Sequence, residues 1–188
     1  MRTVKASART TATLVIVSLF LPGYCKTQPK GTTQDKPVFR VPFVLKLRID
    51  RQHYYEQKFD KVPYVANGDV YLFAGDSFGM NAAVRDGQIS QIAYQPNATK
   101  AEVTFSFFQQ RGAGGFMMLL VIQNRLKRKL YLDALMTIPG KSAILKTDIL
   151  PIPPGLTDYE SWPHPIIQLV LRDFRFTAKE PEVKASGQ

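Results

Sequence analysis

Few side chains in this 188-residue chain could act together as a catalytic set, and their spacing decides which chemistry is open to them. The best-placed nucleophile is Ser77, in Gly75-Asp76-Ser77 directly after the apolar run from Val70 to Phe73. The two histidines, His53 and His164, have no second ligand at metal-binding spacing, and the single cysteine is Cys25. No metal and no cofactor is therefore expected. Asp158 and Glu160 sit in Thr157-x-x-Glu160, which has the form of a capping box for a single helical turn before Pro163, so their carboxylates read as caps.

Gly75-Asp76-Ser77 resembles the nucleophile block of the GDSL esterases. The resemblance is confined to this block and implies a strand-end serine activated by a histidine three residues after an aspartate near the C-terminus. His164 instead has Ser161 three residues before it and Asp158 six before it, and no Gly-x-Asn-Asp block occurs. The family also places helices between parallel strands, whereas hairpin turns dominate here. A small secreted serine hydrolase using Ser77 is thus the alternative reading, and Gly75-Asp76 is expected to form a tight turn.

Charge points toward binding. Lys and Arg number 25 against 15 Asp and Glu, a formal charge of +10. Arg125, Lys127, Arg128 and Lys129 put four cations within five positions, at a bend after the apolar run Phe116 to Ile122. Such a knot suits an anionic envelope polymer or lipid, and a solubilising hairpin tip is the plainer reading. No nucleic-acid-binding motif accompanies it, so no nucleic acid is expected. Trp162, in Ser161-Trp162-Pro163-His164-Pro165, either plugs a core or offers a sugar-stacking platform. Asn97-Ala98-Thr99 is a formal glycosylation sequon.

The first 25 residues are built as an export signal. Arg2, Lys5 and Arg9 precede the apolar run Ala12 to Leu21, which is too short to span a bilayer, and Pro22-Gly23 then breaks it. Cleavage after Cys25, or lipidation of Cys25, would leave the chain periplasmic or extracellular, meeting a membrane only through that anchor. Removing those three cations from +10 leaves +7 on the remainder. Residues 26–38 read as a polar linker, 39–177 as one domain and 178–188 as a disordered tail.

The elements that must position these groups are strands. Val41, Phe43, Leu45, Leu47 and Ile49 alternate with mostly polar neighbours, and Leu126 to Ile138 does the same. Phe116 to Ile122 is apolar at every position, as a central buried strand would be. Asn67-Gly68, Asp86-Gly87, Gly112 to Gly115 and Pro139-Gly140 punctuate the runs as turns, and Ile166 to Phe176 changes face near Asp173, where a β-bulge would absorb the slip. Asp50 to Asp60 fits either helix or strand. Eight or nine strands predict an antiparallel β-sandwich, immunoglobulin-like, with a partly open barrel as the alternative. The function expected of it is that of an exported, non-enzymatic binding protein for a partner or envelope component. An envelope assembly subunit that pairs through a sheet edge is a further alternative.

Overall fold

The computed structural model describes residues 36–179. Its strands are β1 (Phe43–Arg48), β2 (Tyr54–Phe59), β3 (Val65–Ala66), β4 (Asp69–Leu72), β5 (Asp76–Arg85), β6 (Gln88–Gln95), β7 (Val103–Gly112), β8 (Gly115–Asn124), β9 (Tyr131–Thr137), β10 (Leu145–Thr147), β11 (Thr157–Trp162) and β12 (Gln168–Arg175). One sheet runs β10-β9-β12-β4-β3, the other β11-β8-β7-β5-β6, and β1 and β2 form a separate hairpin. Every pairing is antiparallel. The described residues are all-β and sandwich-like, with more strands than the sequence predicts. Among the described residues, no helix is long and apolar enough to cross a membrane.

The alternation of side chains explains the core. Val103, Phe105 and Phe107 of β7 and Met118, Leu120 and Ile122 of β8 are fully buried against Leu132 and Ala134 of β9 and Leu169 and Leu171 of β12. The β1–β2 hairpin adds Leu45 and Leu47 to this core. Phe43 stacks on Phe59 at 5.3 Å between ring centres, and both meet Phe73. Gln109 of β7 fastens the hairpin, accepting from the Arg48 amide at 2.8 Å and donating to its carbonyl at 2.9 Å.

The turns follow the residues that permit them. Asn67-Gly68 and Asp86-Gly87 have positive φ at both positions and close two-residue hairpins, the geometry that matches strand twist. Asp173 has φ +57°, and the pairing of β12 with β9 shifts register between Arg172 and Arg175, where the face change predicts a bulge. Gly79 lies where a Cβ would come within 2.2 Å of the Ala101 Cβ, so the segment entering β7 can cross close over β5.

Several expectations are corrected. Thr157-x-x-Glu160 caps no helix, since it begins edge strand β11, whose even positions face inward. Asp50 to Asp60, open between helix and strand in the sequence, resolves to a bend at residues 49–52 followed by the strand Tyr54–Phe59. The strand expected from Leu126 begins at Tyr131, because residues 125–129 form a loop from one sheet to the other. The basic knot is accordingly an inter-sheet crossover, not a hairpin tip. In Phe116 to Ile122 the odd positions, Met117, Leu119 and Val121, are only half-buried, and β8 lies second from its sheet's edge.

Candidate functional site

The crossover loop takes its shape from Asn124, the last residue of β8 and fully buried. Its amide nitrogen donates to the carbonyls of Arg128 and Ile152, each at 2.9 Å, and of Pro153 at 3.2 Å, two hydrogens shared among three acceptors. Its side-chain oxygen accepts from the Leu126 amide at 3.0 Å. Its main chain donates to Leu156 O and accepts from Gly155 N. One asparagine thus holds the basic loop on one side and the turn at residues 153–156 on the other, and supplies a donor to the Arg128 carbonyl, which no ladder reaches.

Two neighbouring segments close around this loop. Arg125 donates to Ala98 O at 2.5 Å beside the 3₁₀ turn Ala98–Lys100, and twice to the Gln123 side chain. Arg128 reaches the tip of the β5–β6 hairpin, donating to Gly87 O, and lies over the Phe176 ring at 4.4 Å. Both guanidinium groups therefore bind neutral carbonyls and keep their charge uncompensated. Lys127 and Lys129 are exposed and make no hydrogen bond or ion pair among the described residues. Lys100 stands exposed at the end of the 3₁₀ turn. Glu102, whose backbone carbonyl accepts the Arg125 amide, engages the Ala82 amide at 2.7 Å through its carboxylate, and Asp86 sits exposed in the hairpin turn that Arg128 reaches.

Several charges elsewhere pair with one another. A cleft of about 580 Å³ is lined in part by Asp69, Asp133, Arg172, Asp173 and Lys179. There Arg175 and Lys179 meet Asp133 at 3.1 and 2.7 Å, and Arg172 meets Asp69 at 3.8 Å. Burial pushes Asp133 upward, yet Lys179 and Arg175 outweigh it and hold the carboxyl below its ordinary value. Burial raises Asp69. Lys46 pairs with Glu56 and Lys58 with Asp60 on the β1–β2 hairpin. No carboxylate among the described residues pairs with Arg125, Lys127, Arg128 or Lys129.

The remaining sequence candidates fall apart from this end. Trp162 is buried, with its ring edge-on to Phe107 and its indole N–H donating to Thr147 Oγ1 at 3.0 Å, so it plugs the core and offers no stacking platform. Ser77 Oγ lies 3.1 Å from Ser106 Oγ on the neighbouring strand. His53 is held by Asp50 at 2.7 Å, and His164 lies against the Pro165 carbonyl. Neither histidine is a partner of Ser77 among the described residues. Gly75, with φ +102°, makes the expected tight turn, closed by a bond from Asp76 N to Phe73 O. Cys25 lies outside the described residues.

Sequence reasoning missed two buried polar hubs. Asn124 is one. The other is Arg40, whose guanidinium pairs with Asp76 at 2.6 Å, donates to Pro63 O and Tyr71 O, and lies over the Tyr64 ring at 4.1 Å. Asp76 also accepts the Phe73 amide at 2.7 Å, which gives it a structural role in the motif that resembles an esterase block. No local pattern marks either hub, because their partners are distant in sequence.

The chain matches no family model, no curated protein and no solved structure.

Proposed function

We propose that this chain is an exported, non-enzymatic binding module, an immunoglobulin-like sandwich whose ligand presents closely spaced negative charge, as an acidic envelope polymer or surface does. One observation carries the reading: Arg125, Lys127, Arg128 and Lys129 share one buttressed loop with no carboxylate partner among the described residues, while most other clustered charges are paired. Uncompensated cations held by a rigid scaffold repel one another, and an anionic ligand relieves that repulsion. The placement of Ser77 beside Ser106, away from either imidazole, favours binding over hydrolysis.

The test compares two variants that lose equal charge. Changing Arg125, Lys127, Arg128 and Lys129 to Gln should lower retention on an anionic matrix far more than changing Lys46, Lys61, Arg111 and Lys141. Lys127→Gln with Lys129→Gln alone should give a smaller loss without disturbing the loop's hydrogen bonds. Retention of the parent should fall between low and physiological salt, since exposed charges are screened over roughly 8 to 10 Å there. Equal retention of the two four-residue variants would place the charge effect on the whole surface and remove this site.

A further inference from the structure

Beside the cationic loop stands an apolar side chain that the fold does not use. Leu156 is 55% exposed at the end of Pro153-Pro154-Gly155-Leu156, and Pro154 beside it is exposed. Gly155, with φ +74°, turns the chain. The Leu156 amide donates to Pro153 O at 3.3 Å and its carbonyl accepts from Asn124 N at 2.9 Å, so its backbone is fixed while its side chain points away from the core. Leu156 is therefore one hydrogen bond from Asn124, the residue that opens the basic loop.

We infer that this end of the sandwich rests on an anionic lipid bilayer, with Leu156 and Pro154 entering the boundary between headgroups and acyl chains while Arg125, Lys127, Arg128 and Lys129 meet headgroup phosphates. The inference rests on the anion-binding reading and narrows its ligand to a lipid surface. A dissolved polyanion satisfies the cations and leaves Leu156 in water. A bilayer face satisfies both, because phosphate and hydrocarbon lie within a few ångströms of each other along its normal. Neither signal is strong alone, since a single apolar side chain binds marginally and a small basic cluster is screened by salt. Together they reinforce one another. The turn is built from two prolines and a pinned glycine, so little backbone freedom is lost on insertion.

The experiment uses the full chain, vesicles of phosphatidylcholine and phosphatidylglycerol in equal parts, vesicles of phosphatidylcholine alone, and immobilised dextran sulfate as a polyanion without lipid. The parent should sediment with the mixed vesicles and little with the neutral ones. Leu156→Ser should weaken mixed-vesicle binding by about fivefold or more while leaving dextran sulfate retention and the thermal midpoint unchanged. Lys127→Gln with Lys129→Gln should lower both. Leu156→Trp should restore or strengthen vesicle binding and shift its emission to the blue on mixed vesicles. Unchanged vesicle binding by Leu156→Ser, with dextran sulfate retention still dependent on the lysines, would overturn the lipid inference and leave the anion-binding reading standing. Failure of the parent to bind either mixed vesicles or dextran sulfate would overturn both.

Discussion

Asn124 shows how much one neutral side chain can organise. Its amide reaches the carbonyls of Arg128, Ile152 and Pro153, and because Ile152 O keeps the Leu130 amide and Pro153 O the Leu156 amide, Asn124→Leu leaves two groups bare, the Arg128 carbonyl and the Leu126 amide. At about 1 to 3 kcal/mol for each group left unsatisfied, partly relieved by water at the loop, the expected loss is about 3 kcal/mol in a denaturant titration. Anionic retention should fall with it, because the loop loses its shape. A second polar site can be improved. Glu160 accepts the Leu150 amide at 3.2 Å on the inward face of β11, beside Asp158, whose Oδ2 is buried with no hydrogen-bond donor among the described residues. Burial pushes the Glu160 carboxyl above its ordinary value, the Leu150 amide opposes this, and the Asp158 carboxylate adds to it. A carboxyl raised in the folded state contributes stability below the unfolded value, and that contribution is lost as pH rises through the folded one. Glu160→Gln keeps an acceptor for Leu150 and offers an amide hydrogen to Asp158. Its melting midpoint should exceed the parent's at neutral pH, and the gain should vanish toward pH of about 4, which melts across that range would show. Neither site is legible in sequence, since an asparagine after an apolar run and a glutamate in a capping pattern carry no sign of partners 4 to 29 positions away.

Strands were legible where hydrophobic alternation and turn residues agreed, and illegible where one signal stood without the other. Asn67-Gly68 and Asp86-Gly87 marked hairpins correctly because both positions need φ above zero, a demand few residue pairs meet. Edge strand β11 defeated the pattern. Its inward residues are Asp158, Glu160 and Trp162, so polar groups occupy positions where alternation looks for apolar ones, and Thr157 with Glu160 mimics a helix start. The loop at residues 125–129 reads as part of β9 because Leu126 and Leu130 keep the period across a segment that changes sheet. For β8 the two faces can be told apart directly. Leu120 is fully buried between the sheets, whereas Val121 lies on the half-exposed outer face, opposite Ser106 and Tyr159. Leu120→Asp should abolish the cooperative unfolding transition, since an unpaired buried charge costs several kcal/mol against a total of about 5 to 15 kcal/mol. Val121→Asp should lower stability by about 1 kcal/mol and keep the transition. Similar effects of the two would reverse the assignment of faces.

At the scale of the molecule, composition and periodicity sufficed for an all-β sandwich, because a strand's inward face must find another layer. Strand order was beyond them. Alternation tells which side of a strand is wet and says nothing about which strand lies beside it, so the basic loop could be located in sequence while its neighbours, the Gly87 turn and the Ala98–Lys100 turn, could not. The order has a consequence in time. β12 lies between β9 and β4, with Leu169 opposite both Met136 and Leu72, and it follows all the strands it joins in sequence. The centre of one sheet is therefore synthesised after its flanks. Until Gln168–Arg175 emerges, β3–β4 and β9–β10 are separate hairpins with no strand to join them, and Leu72 and Ala134 lack their partners in β12, Leu169 and Leu171. Local hairpins such as β7–β8 can close in microseconds, whereas seating β12 requires closure of a loop of nearly a hundred residues back to β4. A nascent chain of this sequence cannot complete this sheet until Gln168–Arg175 has emerged, and passage through any narrow conduit is easiest before that point.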